Sequence, residues 1–173
     1  MFSSDNIKLR SLEYEDLPTL VEWMNQKEIM EGILRVVPTS LYATRKWYDN
    51  LGQDKSKMVF AIEENYTGKF IGCIGLNDIN LIDKKAELYI YIGEKSARRQ
   101  GYSVLAIDIM VNYCFDYLNL NKIFLNVRED NMIAIKSYIK SGFIKEGLLF
   151  EERYISGKYI NMVRMCRLKN RKE

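Results

Sequence analysis

Residues 98–103 read Arg98-Arg99-Gln100-Gly101-Tyr102-Ser103, and the pattern on either side of them decides the fold. Alternating apolar residues over 86–92 predict a strand before this stretch, and an apolar run over 104–118 predicts a buried helix after it. The first N–H groups of a helix are unpaired and the helix dipole adds positive charge, so a basic turn at a helix start favours an anion. We therefore expect residues 98–103 to bind a phosphate or pyrophosphate.

Length and charge narrow the class of protein. The chain has 173 residues, which suits one domain with a sizeable core, so we expect one domain over 1–173. The net charge is only +3, and apart from Arg98-Arg99 and a 169–172 tail the basic residues are scattered, so we expect no nucleic-acid partner. The first residues lack a signal-peptide pattern and no apolar run reaches membrane-spanning length, so we expect a cytoplasmic protein without membrane association.

Metal and redox chemistry are not indicated. Cys73, Cys114 and Cys166 lie far apart inside apolar runs, which predicts buried free thiols rather than a zinc site or a redox pair. The chain has no histidine, so the commonest general base and the commonest metal ligand are both missing. We expect no bound metal.

The rest of the chain predicts further strands and helices around this unit. Strands are expected over 7–12, 57–63, 70–76, 121–127, 148–155 and 159–168. Helices are expected after Asp16, which is interpreted as an N-cap, and over 27–32, 41–51 and 131–140. This order of elements predicts a mixed α/β sheet with helices on its faces.

A second motif lies on the helix over 131–140. Asn131, Ala134 and Tyr138 are spaced i, i+3 and i+7, which puts them on one helix face. The small side chain of Ala134 would let a long, thin ligand pass, and Tyr138 would present a hydroxyl near its far end. A core tyrosine bonded to a backbone carbonyl is the alternative for Tyr138.

Together the two motifs resemble the GNAT superfamily of acyl-CoA N-acyltransferases. The family pattern (Q/R)-x-x-G-x-(G/A) fits 98–103 except that Ser103 replaces glycine or alanine, and N-x-x-A-x-x-x-Y-x-x-x-G-F fits 131–143 at every fixed position. Other stretches resemble the branch with ribosomal-protein alanine and spermidine N-acetyltransferases, and Lys46-Trp47-Tyr48 is similar to nucleotide-aminosugar acetyltransferases of that branch. The resemblance implies a GNAT-like domain with a central, twisted, mostly antiparallel sheet of about seven strands and helices on both faces.

The resemblance also implies acetyl-CoA as the acyl donor. Its pyrophosphate would lie on the backbone N–H groups of 99–103, with Arg98 or Arg99 adding charge. Its pantetheine arm would run beside one strand and between the two motifs. The residues that this placement implicates are Ile90, Tyr91, Ile92, Arg98, Arg99, Gln100, Gly101, Tyr102, Ser103, Asn131 and Ala134.

The family pattern places Tyr138 as the proton donor to the leaving thiolate. A base is needed as well, because an alkyl amine with a pKa near 10 is mostly protonated at neutral pH. Glu87 is our candidate, since it shares a strand face with Tyr89 and Tyr91. An ordinary salt-bridged carboxylate is an equal alternative for Glu87, and a solvated helix face is the better interpretation of Glu28 and Glu31.

The acceptor implied by the resemblance is a primary amine, on a small molecule or a peptide, attacked directly in a ternary complex. A polyamine, a protein N-terminus, an aminosugar and an antibiotic amine all stay open, as do a homodimer and acyl groups other than acetyl. A catalytically silent acyl-CoA-binding module on the same fold is the alternative function.

Overall fold

A computed structural model describes residues 2–170 of the chain; Met1 and part of the 169–172 tail lie outside the described residues. The strands are β1 (Ile7–Ser11), β2 (Met58–Glu64), β3 (Phe70–Asn80), β4 (Lys85–Ile92), β5 (Lys122–Arg128), β6 (Ile144–Ile155) and β7 (Lys158–Leu168). The helices are α1 (Leu17–Met24), α2 (Lys27–Gly32), α3 (Leu41–Leu51), α4 (Tyr102–Asp116) and α5 (Met132–Lys140). These elements confirm the predicted mixed α/β sheet of seven strands.

The strands form one sheet in the order β1-β2-β3-β4-β5-β7-β6. Every neighbouring pair is antiparallel except β4 and β5, which are parallel. A parallel pair needs a crossover connection, and α4 supplies it. The mostly antiparallel sheet that the resemblance implied is therefore confirmed.

The parallel pair opens into a split. Its pairing covers only Lys85–Lys122, Ala86–Ile123 and Glu87–Phe124, although β4 continues to Ile92 and β5 to Arg128. Beyond Glu87 the two strands diverge, so the edge of β4 that faces β5 has no strand partner within residues 2–170. Because the strands are parallel, the split opens at the edge of the sheet where α4 and α5 begin.

The core has a part on each face of the sheet. The larger part packs α4 against one face, where the buried residues of β4 and β5 include Ala86, Leu88, Ile123 and Leu125. The smaller part packs α1 and α3 against the other face. The alternation predicted for β4 is confirmed, since Glu87, Tyr89 and Tyr91 lie on the second face, away from α4. All three cysteines are buried and none forms a disulfide within residues 2–170, in line with the prediction.

Asp16 precedes α1 as predicted, but its side chain does not cap that helix. Its carboxylate accepts two hydrogen bonds from Arg10 of β1, at 2.7 and 2.9 Å, and one from the N–H of Glu13 at 2.8 Å. Arg10 also donates to Glu63 of β2 at 2.6 Å. Asp16 therefore ties the start of α1 to the sheet instead of closing the helix end.

β3 and β6 are longer than the sequence pattern predicts. β6 begins at Ile144 rather than 148, because Ile144 and Lys145 pair with β7 although 144–147 includes exposed charged residues. None of the helices within residues 2–170 combines the length and the apolar content needed to cross a membrane.

Candidate active site

The turn before α4 presents a row of free backbone donors. Gly101 is the N-cap residue of α4, with a φ of 83° that favours glycine. The first bonds of the helix run from the N–H groups of Val104 and Leu105 to the Gly101 carbonyl, at 3.0 and 3.3 Å. Within the described chain the N–H groups of 99–103 have no hydrogen-bond partner. A Cβ on Gly101 would meet no atom within 4 Å, so a ligand has room to approach.

The two arginines of the turn have different surroundings. Arg98 donates from Nε to the Ile92 carbonyl at 3.1 Å and from Nη2 to the Gly93 carbonyl at 3.0 Å, which closes the end of β4. Arg99 is exposed and has a φ of 63°, in the left-handed region. That conformation costs a non-glycine residue about 1–2 kcal/mol. The free positive charge beside the turn therefore comes from Arg99.

Tyr102 anchors the turn to the neighbouring hairpin. Its hydroxyl donates to the Glu64 carboxylate on β2 at 2.7 Å. Gln100 is exposed and Ser103 is half-buried.

The start of α5 lies across the split from β4. Asn131 caps this helix, because its Oδ1 accepts the N–H of Ala134 at 3.2 Å. Residues 90–92 lie on the part of β4 that β5 no longer pairs. The structure therefore brings 90–92, the 99–103 turn and the Asn131–Ala134 cap to one edge of the sheet.

Tyr138 is a buried residue of α5 with a free hydroxyl. It is 9% exposed, and its ring centroid lies 5.9 Å from that of Phe143. Within residues 2–170 the hydroxyl has no hydrogen-bond partner, so this is not a core tyrosine bonded to a carbonyl. Burial raises the pKa of Tyr138 to about 12, so the phenol keeps its proton at neutral pH.

Glu87 is held by a chain of side chains on three strands. Its Oε1 accepts from Nδ2 of Asn126 at 2.9 Å, and Oδ1 of Asn126 accepts from Nε of Arg164 at 3.1 Å. Burial is the main cause that raises the pKa of Glu87 above its ordinary value. The Asn126 bond and the charge of Arg164 lower it, while the charge of Asp78 raises it. A half-buried carboxylate with a raised pKa is poised to take a proton.

A cavity of about 380 Å³ lies on the face of the sheet that carries Glu87. Helices α1 and α3 and the segment between α2 and α3 bound it on one side, and β2 to β4 bound it on the other. Asn77 pairs with Glu87 across the β3–β4 ladder, and Tyr89 is the next residue on the same face, so this end of the cavity adjoins Glu87. The lining is Leu20, Met24, Ile33, Arg35, Thr39, Ala43, Thr44, Trp47, Val59, Cys73, Asn77, Tyr89 and Tyr91.

Glu28 and Glu31 are exposed and do not line this cavity. Glu31 instead borders a shallower surface groove with Glu129, Asp130 and Glu151. The solvated interpretation of these two glutamates is therefore the one that the structure bears out.

Sequence reasoning missed the residues that support Glu87 and those that line the cavity. Arg164 carried a signal, because it is a charged residue inside the apolar run 162–166. Asn126 carried none, since a polar residue on the half-buried face of a strand is ordinary. Arg35 and Trp47 come from separate elements, and only the fold brings them together.

Comparison with known proteins identifies the family. Residues 6–144 match the family model described as an acetyltransferase (GNAT) domain. The chain belongs to this GNAT family. It is therefore an acetyl-CoA-dependent N-acetyltransferase, as the resemblance of the two motifs implied.

The similarity to GNAT enzymes extends over nearly the whole chain. The spermidine N(1)-acetyltransferase of Escherichia coli (strain K12) is 33% identical over 166 residues, which cover 96% of this chain and 88% of that protein. The structure of spermidine N-acetyltransferase from Vibrio cholerae in complex with CoA and spermine matches with a TM-score of 0.90 and 31% identity, covering 96% of this chain and 97% of that one. A dodecameric structure of the Vibrio enzyme matches with a TM-score of 0.82 and 29% identity, covering 96% and 95% of the two chains. These relatives favour catalysis over a silent binding module.

Proposed function

We propose that this GNAT enzyme binds acetyl-CoA across the β4–β5 split and acetylates the primary amine of a small molecule. The free hydroxyl of buried Tyr138 is the observation that carries the proposal, because a core tyrosine would be hydrogen-bonded. The free N–H groups of 99–103 and the side chain of Arg99 suit a pyrophosphate. The unpaired edge of Ile90–Ile92 suits the amides of a pantetheine arm, which would add to β4 like a strand.

Tyr138 and Glu87, which lie on opposite faces of the sheet, carry out the two proton transfers of the reaction. Acetyl-CoA supplies the acetyl group as a thioester. The acceptor reacts as the free amine, after its ammonium form has lost one proton. Its nitrogen forms a bond to the thioester carbonyl carbon, the carbon–sulfur bond breaks, and the nitrogen loses a second proton. Tyr138 donates a proton to the leaving thiolate, and Glu87 receives the proton of the amine, directly or through water. The products are the N-acetylated amine and CoA, and proton exchange with solvent restores both residues.

The size of the cavity favours a small molecule over a peptide as the acceptor. A volume of about 380 Å³ is within the range of small-ligand pockets, and it adjoins Glu87. Spermidine and spermine are acceptors to test first, because the relatives are spermidine N-acetyltransferases. Aminosugars and an N-terminal peptide complete the panel.

The decisive experiment is a thiol-release assay with acetyl-CoA over these acceptors. Acetylation of at least one small amine, confirmed by the mass of its product, is the expected result. Acetyl-CoA binding without thiol release for any amine would instead support the silent-module alternative.

We also propose that residues 1–173 form one domain. In addition, we propose that the chain associates with further copies of itself. β6 forms the edge of the sheet, and the β6–β7 hairpin exposes Phe150, Tyr154 and Tyr159. Such an apolar edge is suited to pairing with another copy. Sedimentation velocity tests this: a dimer or a larger species is expected, and a monomer at micromolar concentration would contradict it.

A further inference from the structure

The charges around the cavity restrict what the acceptor can be. Arg35 is the one charged residue among those that line the cavity, and the described lining contains no carboxylate. The remaining side chains are aliphatic, aromatic or neutral and polar. The cavity therefore offers positive charge and apolar surface, which are the opposite of what a polycation needs.

The guanidinium of Arg35 has no carboxylate partner within residues 2–170. Its Nε donates to the Val37 carbonyl at 2.8 Å, which holds the segment after α2. Within residues 2–170 its terminal guanidinium nitrogens form no ion pair and no other hydrogen bond. A half-buried guanidinium without a carboxylate is an incomplete site, since arginine matches carboxylate and phosphate groups in geometry and charge.

We propose that the acceptor is a primary amine with an uncharged body that ends in a carboxylate or phosphate, and that Arg35 binds this anionic group. The inference rests on the proposed function and adds the chemical class of its substrate. The amine lies at the end of the cavity that adjoins Glu87, and the anion lies at Arg35.

The rest of the lining fits such a molecule. Trp47, Tyr89 and Tyr91 supply aromatic surface for the body of the acceptor. The side-chain amide of Asn77 has no partner within the described residues and stands opposite Glu87, where it can bind a polar group near the amine. A second ammonium in the body of the acceptor would meet Arg35 without a compensating carboxylate, which is costly in a half-buried site.

A polycation has a different complementary surface on this chain. The groove bordered by Glu31, Glu129, Asp130 and Glu151 carries four carboxylates, against Arg128 and Lys158. That groove lies outside the cavity and shares no lining residue with it. Preference for a polyamine is therefore the outcome that would overturn the inference.

Matched pairs of amines test the anion directly. One pair is benzylamine and 4-(aminomethyl)benzoate, and the other is glucosamine and glucosamine 6-phosphate; the first adds a carboxylate and the second a phosphate. In thiol-release assays, the anionic member of at least one pair is expected to have the higher kcat/KM, by roughly 10- to 100-fold for a charge-assisted bond. Spermidine is expected to have a lower kcat/KM than that anionic amine.

Variants of Arg35 assign the preference to this side chain. In Arg35→Gln the kcat/KM ratio of the anionic to the neutral amine is expected to fall at least tenfold, and in Arg35→Lys part of the ratio should remain. Using a ratio separates loss of the anion site from general damage, and thermal unfolding of both variants checks their fold. Arg45→Gln removes an exposed arginine of α3 that does not line the cavity, and its ratio should equal that of the wild type.

Two results would overturn the inference. One is a higher kcat/KM for spermidine than for every anionic amine; the other is an Arg35→Gln variant that loses activity equally on both members of a pair. Both would leave the proposed acetyltransferase function intact. Absence of thiol release with every amine would reject the proposed function, and the inference with it.

Discussion

The donor and acceptor sides of this enzyme are built in different ways. The donor side consists mainly of backbone: the free N–H groups of 99–103, the unpaired edge of β4 beyond Glu87 and the capped start of α5. The acceptor side is a cavity formed by side chains from two helices, the segment between α2 and α3, and three strands. A backbone site tolerates many side chains, so the donor can stay the same while the acceptor changes.

Tyr138 and Glu87 lie on opposite faces of the sheet, beside the same split. Tyr138 belongs to the core that packs on α4, whereas Glu87 faces the cavity side. A thioester placed in the split would reach both faces. Variants that alter only the donor side or only the acceptor side test whether the two sides act independently.

The largest effect is expected for Tyr138→Phe. Loss of a general acid lowers kcat by about 100-fold or more, while acetyl-CoA binds as before because only a hydroxyl is removed. Steady-state kinetics together with calorimetric titration of acetyl-CoA measure both. An unchanged kcat would remove Tyr138 from the proton-donor role.

Glu87→Gln is expected to lower kcat/KM by roughly 10- to 100-fold near neutral pH. Because the pKa of Glu87 is raised, wild-type activity should fall on acidification through a range above that of an ordinary glutamate. In the variant this acid limb should disappear, and activity should recover towards high pH as the amine loses its own proton. An acid limb that persists in Glu87→Gln would assign the base to another group.

Gly101→Ala disturbs only the donor side. A left-handed φ of 83° costs alanine about 1–2 kcal/mol, which corresponds to roughly 5- to 30-fold weaker acetyl-CoA binding if the turn shifts to relieve it. The KM for the amine should stay the same. Gly52→Ala is the matched control, because Gly52 has a φ of −68° and free space around it. Equal effects of the two substitutions would contradict the role of the turn.

The smallest effect is expected for Arg164→Gln. The positive charge of Arg164 lowers the pKa of Glu87, so removing it raises that pKa further and moves the acid limb of kcat/KM to higher pH. Asn126 keeps its bond to Glu87, so the shift is modest. Arg164→Lys should move the limb less. A limb that stays in place, or moves to lower pH, would show that the Asn126–Arg164 chain does not tune Glu87.

The difference between the donor side and the acceptor side also explains which parts of the site could be predicted from the sequence. The donor side depends on contiguous residues, so the patterns of 98–103 and 131–143 indicate it from the sequence alone. The predicted strands and helices were also largely right, because their alternation and turn residues are local signals. The chain from Glu87 through Asn126 to Arg164 depends on β7 lying next to β5. The cavity depends on the packing of α1, α3 and the segment between α2 and α3 against the sheet. Arg35 gave no signal in the sequence, because only the folded chain shows that it lines the cavity without a carboxylate partner.

Backbone amide NMR of the wild type during titration with CoA tests the central claim most directly. The account predicts that the largest shifts fall on the amides of 99–103, whose N–H groups are free until phosphate oxygens accept them. It also predicts smaller shifts for residues 33–47, which bound the acceptor cavity. Largest shifts at 33–47, with the 99–103 amides unmoved, would contradict the placement of the donor.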